Sequence, residues 1–210
     1  MVVTLSFLCV PLRNYISLCA SLIGVTALIF VAKGNVLGQI LTVLFSVFYA
    51  LISFASRYYG EMITYMCMTA PIAFLSVISW LRNPFAPDKA EVRVARMRPR
   101  DTLLMLLYAA LVTFAFYFIL AFFHTDRLIL STVSITTSFL ASYLTYRRSK
   151  FYALAYAAND LVLILLWILA SVRDISNAPM IFCFLAFLAN DIYGYINWSR
   201  MEKRQRSSAL

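Results

Sequence analysis

Apolar stretches of about 20 residues recur along this chain, broken by short clusters of charged residues, proline and glycine. Roughly 20 apolar residues is what a helix needs to cross the hydrocarbon core of a bilayer. Within lipid the backbone has to satisfy its own hydrogen bonds, and the period-2 alternation of a membrane barrel is absent. The stretches therefore read as helices. The pattern predicts seven spans, at 12–32, 36–56, 59–81, 102–123, 128–146, 150–171 and 175–198.

These spans divide as three, one and three. The expected fold is an all-α membrane protein with two parallel three-helix repeats. Residues 1–11 form a lead-in, 12–82 the first repeat, 83–101 a basic cytoplasmic loop and 102–123 a connecting helix; 128–199 is the second repeat and 200–210 a basic cytoplasmic tail. Span three closes with Ile78-Ser79-Trp80-Leu81-Arg82 and span seven with Ile196-Asn197-Trp198-Ser199-Arg200. Aligning Trp80 with Trp198 also pairs Met62-Ile63 with Met180-Ile181, and spans one and five both end in a basic turn, Lys33-Gly34-Asn35 and Arg147-Arg148-Ser149-Lys150. An odd number of spans per unit plus one connector gives both halves the same orientation. In carriers built this way the substrate sits near the midplane, between the repeats.

Polar residues inside the spans fall on helix faces, since side chains three, four or seven apart share a side. Span six carries Tyr152, Tyr156, Asn159, Asp160, Leu163 and Trp167 on about a third of its circumference. Span seven carries Asn190, Tyr193, Gly194 and Asn197, flanked by Asp191, Tyr195 and Trp198. Span two groups Gln39, Thr42, Ser46, Tyr49 and Ser53, and span three Glu61, Tyr65, Thr69 and Ser76, with Pro71 able to bend it. Span five has Ser131, Ser134, Ser138, Ser142 and Thr145, for which close helix packing is the preferred reading. Trp80, Trp198 and Tyr58 read as interfacial anchors.

The Asn159-Asp160 and Asn190-Asp191 pairs carry most weight. An aspartate near the bilayer centre costs about 2.5–3.5 kcal/mol on insertion scales, so it normally faces a bundle interior or a solute path. Candidate substrate-binding residues are Gln39, Thr42, Tyr49, Tyr152, Tyr156, Asn159, Asp160, Trp167, Asn190, Asp191, Tyr193 and Asn197. Aromatic faces attract cations and planar rings, and amides suit hydroxyls or a carboxamide. A neutral sugar, a nucleoside or a cationic vitamin would fit; a multiply charged phosphate would not, because the Arg and Lys within the spans, Arg13 and Lys150, stand at their very ends. An intramembrane enzyme is the rival class, but neither metal-type spacing nor a catalytic motif accompanies the aspartates. No cofactor is expected.

Composition agrees: 63% of the 210 residues are hydrophobic and mean hydropathy is +0.83. The net charge of +9 invites a nucleic-acid reading, yet fourteen of the eighteen basic residues lie in Lys33, the 82–100 loop, the 147–150 turn and the tail, on one side of the membrane. That bias is a topology signal and places the N-terminus outside and the C-terminus in the cytoplasm. Cys9, Cys19, Cys67 and Cys183 lack metal spacing and read as small buried hydrophobes. Residues 1–11 lack the basic start of a secretory signal, so plasma-membrane residence with a retained leader is expected.

With repeat and stripes in place, the chain resembles the PnuC family of vitamin transporters, which import nicotinamide riboside. The likeness runs from about residue 20 to 201. It includes Ala32-Lys33-Gly34, Tyr58-Tyr59-Gly60-Glu61-Met62, Ser79-Trp80, and most specifically Asn190-Asp191-Ile192-Tyr193-Gly194-Tyr195-Ile196-Asn197-Trp198. The resemblance implies a three-plus-one-plus-three bundle related to the sugar-transporting SWEET proteins, usually a homotrimer. It also implies facilitated diffusion, with a cytoplasmic kinase trapping the product. Family members often carry a Trp four residues before the Asn that Asn159 matches; here that position is Ala155, with Tyr152 and Tyr156 beside it. Relatives move thiamine, riboflavin or deoxynucleosides, and these are the alternative substrates.

Overall fold

The computed structural model describes residues 15–55, 59–86, 90–125, 127–173 and 178–208. The described residues form seven helices and two isolated β-bridges, Asn35 with Glu91 and Pro84 with Val92. The helices are α1 (Tyr15–Ala32), α2 (Val36–Ala55), α3, α4 (Pro99–Phe122), α5 (Leu128–Tyr146), α6 (Tyr152–Arg173) and α7 (Ala178–Ser207). Helix α3 runs through Tyr59–Thr64, a π-helical turn at Tyr65–Thr69, and Ala70–Leu81. Four segments are long and apolar enough to span a bilayer: Met62–Leu81, Pro99–Phe122, Leu128–Tyr146 and Tyr152–Leu169. Leu22–Ala32 and Val36–Ile52 are shorter apolar helices. The protein is an all-helical membrane protein.

Pro71 explains the π turn. It has no N–H to give the Cys67 carbonyl, and its ring would crowd that oxygen. One residue of extra winding, in which the Ala70 N–H reaches back to the Tyr65 carbonyl, takes up the mismatch. The helix stays continuous through the turn.

Several boundaries differ from those expected, and two of the differences have a cause in the contacts. Helix α4 starts at Pro99 and not at 102, because Pro99 occupies the first turn, where its missing N–H costs nothing, and the Asp101 carboxylate accepts from the Arg98 N–H at 3.3 Å. The segment 200–210, expected as a tail, is α7 continuing to Ser207. Its anchor is Gln205, which is buried. The Gln205 amide donates to Glu91 Oε1 (2.8 Å) and to the Val92 carbonyl (3.0 Å), and accepts from the Val94 N–H (2.8 Å). Arg204 pairs with Glu91 as well. Glu202 holds Lys150 at 2.9 Å and Arg96 at 3.8 Å, and pairs with Arg206 one turn on. Burial alone would raise the Glu202 pKa, but the Lys150 hydrogen bond and charge, with Arg206, outweigh it and hold the carboxyl below its ordinary range.

Neighbours along the chain pack as hairpins, α1 on α2, α2 on α3, α4 on α5, α5 on α6 and α6 on α7, while α1 on α7 and α3 on α5 tie the two ends of the chain together. The apolar side of α4 is open, with Leu103, Leu111, Phe114 and Phe122 all exposed. Cys19 and Cys67 are also exposed, contrary to expectation, while Cys183 is half-buried. On a membrane helix the outward face is as apolar as the core, so hydrophobic surroundings in sequence do not separate inside from outside.

The two basic turns share one geometry. Gly34 (φ +67°) and Arg148 (φ +56°) are both left-handed. The N–H of Gly34 bonds the Val31 carbonyl and that of Arg148 the Thr145 carbonyl, each at 2.9 Å. Asn35 reaches Phe30 and Ser149 reaches Leu144, also at 2.9 Å. Both turns are Schellman closures of the preceding helix. The end carbonyls also accept from the distant half of the chain. The Trp80 indole donates to the Thr145 carbonyl and the Trp198 indole to the Val31 carbonyl, both at 3.0 Å. Ser79 Oγ donates to the Tyr146 carbonyl and Asn197 Nδ2 to the Ala32 carbonyl, both at 2.9 Å. Trp80 and Trp198 are thus fully buried helix caps with rings 5.5 Å apart, and not the interfacial anchors that their positions near span ends had implied. The 90–98 segment straps both turns: the Val92 N–H bonds the Gly34 carbonyl (2.9 Å) and the Ala95 N–H that of Arg148 (3.0 Å).

Candidate functional site

Four helices surround a small polar cavity next to the Trp80 cap, whose acceptor residue Thr145 is part of its wall. Gln39 and Thr42 come from α2, Thr69, Ile72, Ala73 and Ser76 from α3, Ser142 and Thr145 from α5, and Tyr156 from α6. Its volume is about 10 Å³, room for one water and far less than the few hundred Å³ of a small-molecule site. The site is closed. The lining is nevertheless hydroxyl-rich at a depth where packing alone favours apolar residues. Thr42, Ser76 and Thr145 each return their hydroxyl proton to the carbonyl one turn back, at 2.8 Å; the oxygens of Thr42 and Ser76 stay open to accept, while that of Thr145 meets Tyr156. Tyr156 meets Ser142 across the cavity at 3.3 Å.

Behind Tyr156, at the α6–α7 contact, lie the two aspartates. Asp160 and Asp191 are buried and their carboxyl groups hydrogen-bond each other; Asn190 bonds Asp191, and Asp160 Oδ2 has no partner. Both carboxyls lie within electrostatic range of the Tyr156 hydroxyl, and Asp191 also of that of Tyr152. In a low-dielectric interior such distances still carry substantial interaction. The pair therefore stands in charge range of the cavity wall at Tyr156. Among the described residues no cluster of three or more metal-type ligands occurs.

Of the twelve candidate residues, Gln39, Thr42 and Tyr156 line the cavity. The others do not, each for its own reason. Tyr152 is buried against Trp198, with ring centroids 4.9 Å apart, and its hydroxyl fills the space over Gly194. Asn159 is occupied by α5: its Oδ1 accepts from Ser134 (3.0 Å) and Thr137 (2.8 Å). Asn197 caps α1, as described. Tyr49 stacks near Tyr65, centroids 4.4 Å apart, and Trp167 is half-buried. Tyr193 is 49% exposed, because the buried side of α7 follows Asp191, Gly194, Trp198 and Met201 and Tyr193 falls off that side. Ser142 and Thr145, assigned to packing, and Thr69 and Ser76 line the cavity; Ala73 and Ile72 carried no polar signal that could have marked them.

Comparison with known proteins agrees with this architecture. The family profile described as "Nicotinamide mononucleotide transporter" matches residues 14–200. The chain is 23% identical over 195 residues to a protein of Neisseria mucosa named nicotinamide riboside transporter PnuC, covering 91% of this chain and 74% of that one. A protein of the same name from Haemophilus influenzae is 21% identical over 193 residues, covering 91% and 82%. A crystal structure titled as the vitamin B3 transporter PnuC superposes with a TM-score of 0.78 at 22% identity, over 97% of this chain and 88% of that one. The chain belongs to the nicotinamide mononucleotide transporter family, the family of the PnuC carriers, and is not an enzyme.

Proposed function

We propose that the protein carries nicotinamide riboside across the plasma membrane by facilitated diffusion, with two parallel three-helix units, α1–α3 and α5–α7, rocking about the cavity and α4 linking them. The observation that carries this reading is the closed polar cavity walled by helices of both units, with Tyr156 in front of a buried dicarboxyl pair. Nicotinamide riboside joins a cationic ring to a sugar. The ring matches an aromatic wall backed by negative charge, and the hydroxyls match Gln39, Thr42, Ser76 and Thr145. The family's name speaks of a mononucleotide, the relatives' names of a riboside. The phosphate separates the two, and no Lys or Arg lines the cavity to receive one. The riboside is therefore the better fit.

The matched Schellman turns and crossed Trp caps support the three-plus-one-plus-three plan. Basic residues crowd the end that bears the turns and the strap, which supports a cytoplasmic C-terminus and an outside N-terminus. The open face of α4 supports a homotrimer. Alternating access requires the cavity to widen first to one side and then to the other, since one water's volume cannot pass a nucleoside.

Counterflow of labelled nicotinamide riboside in proteoliposomes tests the reading. Saturable exchange is expected, with unlabelled nicotinamide riboside competing and the mononucleotide failing to. Asn190→Ala and Asp191→Asn should slow uptake while expression and assembly persist. Thiamine, riboflavin or a deoxynucleoside exchanging in preference would reassign the substrate. Absence of exchange with all of them, from protein that still melts cooperatively, would end the carrier proposal.

A further inference from the structure

A second cavity lies outside the transport site, at the end of the bundle that bears the basic turns. It is a cleft of about 440 Å³ between the C-terminal ends of α3 and α5, lined by Leu75, Ile78, Ser79, Arg82, Asn83, Tyr146, Arg147 and Arg148. Three of its eight lining residues are arginines, and Arg93 lies within charge range of Arg148. Among the described residues the acid in the neighbourhood is Asp101, which Arg147 already holds at 2.6 Å. Arg148 has no carboxylate partner among the described residues. One terminal nitrogen donates to the Ser79 carbonyl and hydroxyl, both at 3.1 Å, and its buried Nε has no partner at all. Burial, the Arg147 charge and the Arg93 charge all depress the basicity of Arg148, the last two because like charges are forced together.

A partly buried guanidinium without a carboxylate partner, like that of Arg148, is uncommon in a folded protein, because a desolvated cation needs an anion or water to be stable. Arginine's planar fork matches the oxygens of a phosphate, and a neutral side-chain amide, Asn83, can complete such a site. The apolar flank of Leu75 and Ile78 adjoins the membrane-spanning part of α3. From these observations we infer that the cleft between α3 and α5 is a phosphate-binding site, with the anion held by Arg82, Arg148 and Asn83. A phosphate there would bridge α3 to α5, two helices that also meet through the Trp80 and Ser79 caps, and would fasten this end of the bundle shut. The anion could be the phosphodiester of an acidic lipid or a free phosphate; the chemistry is the same. The site is independent of the transported substrate, and so is its test.

The full-length protein in a neutral detergent is titrated with inorganic phosphate, with chloride at matched ionic strength as the control, while its thermal midpoint is followed. In parallel, native mass spectrometry measures retained phosphatidylglycerol against phosphatidylcholine. A midpoint rise with phosphate beyond that with chloride identifies a free-phosphate site; selective retention of phosphatidylglycerol without it identifies a lipid headgroup site. Either supports the inference. Arg82→Gln, at an exposed position outside the helix-capping network, should weaken the effect about tenfold or more, the expected loss for one charge-assisted contact. Arg148→Lys keeps the charge while removing Nε and the fork, and should weaken binding comparably. Equal responses to phosphate and chloride together with indifference to lipid charge would overturn the inference, as would undiminished binding in Arg82→Gln.

Discussion

Replacing Trp198 with phenylalanine tests whether the crossed caps hold the two halves together. In the structure the indole N–H meets the Val31 carbonyl at 3.0 Å, and the residue is completely buried beside Trp80 and Tyr152. Phenylalanine removes the donor and leaves a void. The Val31 carbonyl keeps its bond from Gly34, so the lost hydrogen bond costs nearer 1 than 3 kcal/mol, about 1 kcal/mol. Truncation of a buried aromatic to alanine costs about 3–5 kcal/mol, and the smaller step to phenylalanine adds roughly 1–2 kcal/mol. The sum is about 2–3 kcal/mol, a fall of roughly 5–10 °C in the thermal midpoint for a chain of this size. Trp80→Phe should behave alike, because the Thr145 carbonyl likewise keeps its bond from Arg148. The rings lie 5.5 Å apart, so the double variant should be less destabilised than the sum of the singles by about 0.5–1.5 kcal/mol. Thermal unfolding of the four proteins in one detergent gives all three numbers. Single-variant shifts under about 1 °C would refute the cap assignment.

Further outcomes follow from other contacts. A β-carbon at Gly38 would lie 2.5 Å from the Val31 backbone nitrogen, whereas at Gly24 it meets only the edge of the Phe45 ring at 3.0 Å; Gly38→Ala should abolish folded protein on size-exclusion chromatography and Gly24→Ala should not. Tyr156→Phe removes the hydroxyl facing Ser142 and should raise the KM for nicotinamide riboside several-fold in counterflow with little change in the melting midpoint. Glu202 has a depressed folded-state pKa, so its contribution to stability is complete above the ordinary glutamate range and lost as pH falls through the lower folded value; Glu202→Gln should flatten the acid limb of a stability–pH profile, and an unchanged limb would remove Glu202 from that role.

Helices were legible in the sequence because bilayer thickness sets their length. The expected bounds of α5 match residue for residue, at 128 and 146. Boundaries failed where water and not lipid decided them: Pro99 and Asp101 start α4 early, and the docking of Gln205 carries α7 nine residues past Trp198. The site was legible only by half. Helical spacing found Gln39, Thr42 and Tyr156, since a polar face must turn inward somewhere, but spacing cannot tell a ligand contact from a cap. Asn159 lies on the face of Tyr156 and Asn197 on that of Asn190, yet each is held by a neighbouring helix. The distinction is set by which carbonyl or hydroxyl the adjacent helix presents, a tertiary fact with no period in the chain. An intramembrane amide within reach of a helix end is held by the fold, whereas hydroxyls that bond their own backbone, like those of Thr42 and Ser76, keep acceptors free for a solute.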